Sequence, residues 1–212
     1  MLESIYYKSI KKGKNMSNQE IDIEALKTNK DFLANLVLLE EEMNEQNSIE
    51  KGYQLLDALL LISEDEDKIN DIFTFILKEA FDKLAEYLSQ QKGFDMNVQE
   101  DLFTARAIYE HAIERYSDND IKGSKELFQV LHYMIDEKNL KNAMMVHAVS
   151  VMKGNDFDTF IGTIADIDKY EENDKLAYFL KSFKIDTDKF LSDNADLVQQ
   201  AKDELKVLEE SK

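Results

Sequence analysis

A 212-residue chain with no cysteine, no proline and six glycines leaves no room for disulfide frameworks or thiolate metal sites and little for the hairpin turns of a sheet, which draw on glycine and proline. The formal net charge of −18 repels phosphate backbones, which argues against nucleic acid as a partner and points to basic segments instead. The densest apolar run, Ala58–Ile62, falls far short of the ~18 residues of a membrane span, and the N-terminus lacks the apolar stretch of a secretory signal. The expected setting is the cytoplasm, away from membranes.

Met1–Asn15 stands apart, with Lys8, Lys11, Lys12 and Lys14 against Glu3. The string Lys11-Lys12-Gly13-Lys14-Asn15-Met16 back-translates to a purine-rich tract with a central GG just before an ATG, the layout of a bacterial ribosome-binding site. Met16 is therefore the expected natural start and the basic leader an artefact. The alternative is an amphipathic leader helix carrying Leu2, Ile5, Tyr6 and Ile10. Lysine greatly outnumbers arginine, present only as Arg106 and Arg115, as an AT-rich genome would produce.

Residues 16–212 read as a single all-helical domain. Apolar spacing places helices near 18–27, 30–46, 49–62, 65–91, 98–117, 124–137, 139–153, 156–169, 174–184 and 187–210, the last broken around Ser192–Asn194. Capping boxes are expected at Ser17-x-x-Glu20, Ser63-x-x-Glu66 and Asn97-x-x-Glu100. Gly93 and Gly154 sit where a left-handed residue would end a helix, while Gly52 and Gly162 fall inside helices, where close crossing explains them. At the C-terminus, Leu191, Asn194, Val198, Ala201, Leu205 and Leu208 form a narrow seam suited to docking on the body. Connections of a few residues imply antiparallel hairpins, stacked as a short helical-repeat-like array or an irregular bundle of about ten helices.

Within 104–119, Ala105, Tyr109, Ala112 and Ile113 follow a small-large-small pattern, with Ser117 at the helix end. This stretch resembles the second helix of tetratricopeptide and half-a-TPR repeats, in which a proline usually stands where Ser117 does. The upstream helix departs from that pattern: Gly93 aligns, but Ser89 stands at the large aromatic position. No second copy follows at a 34-residue period. The resemblance implies helical hairpins that present a concave face to a peptide or protein.

Motifs for chemistry are missing. His111, His132 and His147 are preceded three residues earlier by Ile108, Gln129 and Met144, so the Glu-x-x-His of di-metal bundles does not occur. His147 shares a face with Leu140, Ala143, Met144 and Val151 and is expected to be packed and hydrogen-bonded; the other two flank their apolar stripes and should be partly exposed. Asp118-Asn119-Asp120-Ile121-Lys122-Gly123 opens like a calcium loop, but a lysine at the fifth position and Gln129 at the twelfth oppose a dication. A turn capping the next helix is the expectation. No phosphate loop or nucleophile elbow is present, and the residues call for no cofactor.

A cluster of Phe128, Tyr133, Met134, Met145 and Met152 is the candidate interaction surface, since methionine and aromatic side chains suit adaptable binding. Core packing is its competing explanation. The reading is a non-enzymatic interaction module, an adaptor, chaperone-like protein or assembly factor, taking a basic or amphipathic partner segment. The alternatives are a small-molecule or divalent-metal binder with a carboxylate site, and an acidic nucleic-acid mimic.

Overall fold

The computed structural model describes residues 22–62, 65–169 and 174–210, with side chains through Lys206. The basic leader, the Met16 start, the Ser17 and Ser63 caps and the Leu208 side chain lie outside the described residues. The fold is all-α. Its elements are α1 (Ile23–Thr28), α2 (Lys30–Gln46), α3 (Ile49–Ile62), α4 (Glu66–Gln90), α5 (Gln99–Ser117), α6 (Ile121–Met134), α7 (Lys138–Met152), α8 (Phe157–Thr159) running into a π-helical turn (Phe160–Ile164), α9 (Thr187–Asp193) and α10 (Ala195–Glu210). Among the described residues, strand-like pairing is limited to two isolated bridges, Phe94 with Ile135 and Ala165 with Phe183. No helix among them is long and apolar enough to cross a membrane.

The chain falls into two compact units divided after Lys83, inside α4. In the N-terminal unit, α2 and α3 are joined by Asn47, whose left-handed φ of 49° ends α2, and by Ser48. Leu36, Leu39 and Met43 of α2 meet a core that includes Tyr53, Leu56, Ile72 and Ile76. Gly52 earns its place there: a Cβ would stand 2.7 Å from Ile76 Cγ1 and 3.6 Å from Met43 Sδ, so glycine lets α3 close on its neighbours. Lys68 reaches Glu40 at 2.7 Å and Lys51 reaches Glu42 at 2.7 Å, fastening α4 and α3 to α2.

The C-terminal unit is built around α5, whose residues 101–110 are all buried. α6 and α7 form the hairpin beside it. The C-terminal seam docks as expected: Ala201 is buried with Met145 and Val149, with Met152, Phe190, Leu191, Leu197 and Val198 packed around them. The break falls at Asn194, the C-cap of α9.

Several expectations are corrected. The helix over 156–169 stops at Ile164, because Ala165 N–H reaches back five residues to the Phe160 carbonyl and the chain then turns extended. The helix over 174–184 does not form. Its amides are claimed from outside: Leu180 N–H donates to the Tyr109 hydroxyl at 3.0 Å and Lys184 N–H to the Ile164 carbonyl at 2.8 Å, while the Ser182 carbonyl accepts from Asp166 N–H at 2.9 Å. Leu176 and Phe179 enter the core from this irregular segment.

Asn97 does not cap α5. The N-cap is Val98, without a side-chain bond, and Asn97 instead turns to Asp95 and Lys175. The left-handed residue after α4 is Gln91, with φ 57°; Gly93 is small because a Cβ would lie 2.8 Å from the Met134 carbonyl oxygen. Gly154 does take a left-handed φ of 80°. Among the described residues Gly162 has no atom within 4 Å of its would-be Cβ, so none of their helices crosses there.

Candidate functional site

Among the described residues, packing leaves one exposed aliphatic cluster on α2 unexplained. Asn29 starts this helix by accepting from Asp31 and Phe32 N–H at 3.0 Å each, satisfying two orphan amides of the first turn. At about 100° per residue, the run Leu36-Val37-Leu38-Leu39 wraps the helix, so one side cannot bury all four. Leu36 and Leu39 turn inward at 8% exposure each, leaving Val37 at 57%, Leu38 at 50% and Leu33 at 39%.

The outward face reads Lys30, Ala34, Val37, Leu38, Glu41 and Glu45, all exposed. Glu40 and Glu42, on the flanks, are engaged by Lys68 and Lys51. The hydrogen bond that Lys51 donates to Glu42 holds its ammonium above the ordinary pKa. Lys30, Glu41 and Glu45 make no ion pair among the described residues. An aliphatic pair beside unengaged carboxylates can bind an apolar surface and a cation together.

The five residues singled out from the sequence do not form a surface. Phe128, Met134 and Met145 are core side chains, at 0%, 1% and 2% exposure. Tyr133 and Met152 are half-buried, and Met145 and Met152 are covered by α9 and α10. Phe128 fills the space between α5 and α7, with ring centroids 6.1 Å from Tyr109 and 4.9 Å from His147.

His147 is packed and hydrogen-bonded, as its position predicts. Phe160, Phe128, Tyr109 and Phe183 surround the imidazole with centroids 4.7, 4.9, 5.5 and 5.8 Å away. Nδ1 lies 2.8 Å from the Ala143 carbonyl, which requires a proton on that nitrogen; Nε2, 3.2 Å from the Tyr109 hydroxyl, is then the acceptor. Burial pushes its pKa down to about 4 against the opposing pull of the Ala143 carbonyl, and burial also pushes the Tyr109 hydroxyl up. With both nitrogens engaged and aromatic rings all round, this histidine is a structural group. His111 and His132 are half-buried.

Asp120 accepts from Gly123 N–H at 2.9 Å, so the calcium-like loop is the N-cap of α6. Arg115 packs over it: a Cβ on Gly123 would collide with Arg115 Nη1 at 2.1 Å. Elsewhere Arg106 is fully buried, donating from Nε to Glu110 Oε1 at 2.9 Å and lying 4.0 Å from the Tyr178 ring centre. Asp101 accepts from the Tyr87 hydroxyl at 2.8 Å and from Asp95 N–H at 3.1 Å. Glu204 of α10 accepts from Lys125 and Gln129 of α6 at 2.8 Å each, and from Gln200 at 3.0 Å. Burial opposes its charge, but those donors outweigh it and hold the carboxyl at about 2. All three networks join one element to another. Among the described residues no group of three or more His, Asp or Glu side chains is placed to hold a metal ion.

No protein-family model, curated protein or solved structure matches the chain. The α2 face therefore stands on its own geometry. Its signal was present in the sequence as four consecutive aliphatics inside an amphipathic helix, one of the few places where the apolar pattern exceeds what a single buried stripe can use.

Proposed function

We propose that the chain is a non-enzymatic protein-interaction module that captures a basic, amphipathic partner segment on the outward face of α2. One observation carries this reading: Val37 and Leu38, 57% and 50% exposed, share a helix face with Glu41 and Glu45, acids without an ion pair among the described residues. Covering such aliphatics gains about 25 cal/mol for each Å² removed from water. The acids contribute orientation and association rate more than affinity. A partner helix with aliphatics at three- and four-residue spacing and lysines one turn further on meets both demands.

The net charge of −18 steers such a partner inward and repels acidic competitors. The likeness of residues 104–119 to tetratricopeptide helices points to the same class of activity, although Ala105, Tyr109, Ala112 and Ile113 are themselves buried in the C-terminal unit.

Fluorescence anisotropy of a labelled, lysine-bearing amphipathic peptide tests the reading. Binding should weaken as salt rises and disappear in a Val37→Asp/Leu38→Asp variant that keeps its helical circular dichroism. Affinity indifferent to both changes refutes it.

A further inference from the structure

We infer that the same α2 face also pairs with its counterpart on a second copy of this chain, as an antiparallel helix pair whose two-fold axis passes between Val37 and Leu38. This goes beyond partner capture and rests on register. About such an axis Val37 of one copy stands opposite Leu38 of the other, Ala34 opposite Glu41, and Lys30 opposite Glu45. The central layer is then aliphatic, and the small Ala34 leaves room for the stem of Glu41. Lys30, the one base on α2, meets an acid at each end of the pair.

Lys30 and Glu45 are both exposed and engage no ion pair among the described residues. Shifting the register by one residue sets Lys30 against Asn44 or Gln46, and the charge match is lost. At a rise of 1.5 Å per residue the two charged layers lie on the order of 11 Å from the axis. At the ~20° crossing of near-antiparallel packing the helices have separated there by about 4 Å, a gap that lysine and glutamate side chains span.

One helix face is smaller than the roughly 800 Å² per partner of a standard interface, so the pair is weak and reversible. Each copy carries −18, and that repulsion is relieved as salt screens it. Self-pairing therefore strengthens with salt, opposite in sign to capture of a basic peptide. The two also exclude each other, because they use the same side chains.

Sedimentation of the full chain over a concentration series, at physiological and at raised salt, reads the self-pair directly. A monomer–dimer equilibrium is expected. Lys30→Glu and Glu45→Lys should each weaken it about tenfold, since two symmetric pairs turn repulsive together, and the double variant should restore it. Both substitutions favour α2 itself, placing an acid in its first turn and a base in its last, so loss of the dimer cannot be loss of the helix. A monomer at every concentration and salt overturns the self-pair while leaving peptide capture untouched. A dimer indifferent to the single reversals, or not restored by the double, overturns the register.

Discussion

His147 makes the acid response of this protein calculable. Its imidazole is fully buried among Phe160, Phe128, Tyr109 and Phe183, and its pKa falls from 6.5 to about 4. In the unfolded chain it titrates near the ordinary value, so between those two pH values the unfolded state holds a proton that the native state refuses. The stability from neutral burial is fully present above 6.5, is lost as pH falls toward about 4, and changes no further below that. At about 1.4 kcal/mol for each tenfold change, the whole gap is on the order of 3 kcal/mol, of which about 2 kcal/mol is gone by about pH 5.

Urea unfolding of the native chain and of His147→Phe at several pH values isolates this contribution. The variant starts from a different stability, and the acid loss of the native chain should exceed its own by about 2 kcal/mol near pH 5. His132, also lowered by burial, responds in both proteins and cancels. Proton NMR of the imidazole provides the direct check. A native His147 titrating near its ordinary value, or equal pH slopes for the two proteins, would show the reasoning to be wrong.

Glu204 acts in a lower window. Its folded pKa of about 2 lies below the ordinary 4.5, so its contribution is complete above 4.5 and is lost as pH falls through about 2; Glu204→Gln should lack this part of the acid response, as unfolding curves in that range will show. Two glycines in helical segments should respond oppositely to alanine. Gly52→Ala puts a Cβ 2.7 Å from Ile76, a side chain with no exposed surface, and should cost about 1–3 kcal/mol in thermal unfolding. Gly162→Ala meets nothing within 4 Å and should stabilise by up to about 1 kcal/mol through the unfolded chain; a loss there would mean the π-turn needs glycine for its backbone.

Elements whose limits are set locally were legible in the sequence. α2 and α3 begin and end where expected because Asn29 caps one end of α2 and Asn47 turns left-handed at the other. The segment 174–184 was not legible, since its helical spacing is overridden by bonds to Tyr109, Asp166 and Ile164 from far along the chain. Residue type alone could not separate surface from interior at Phe128, Met134 and Met145, because the traits that make such side chains adaptable binders also make them good core. On α2 the evidence lay in excess: Leu36 and Leu39 account for the buried stripe, and Val37 and Leu38 between them have no place in it.

The π-turn has a consequence for how the C-terminal unit meets acid. Its last carbonyls, like those at any helix end, lack a donor from a following turn, and Lys184 settles on those of Ile161 and Gly162 at 3.3 and 2.9 Å. Carbonyl oxygens have no proton to gain in the range where carboxylates neutralise. In a chain so rich in acids, this lysine is moored to backbone, and its hold should persist after the Glu204 tether has let go.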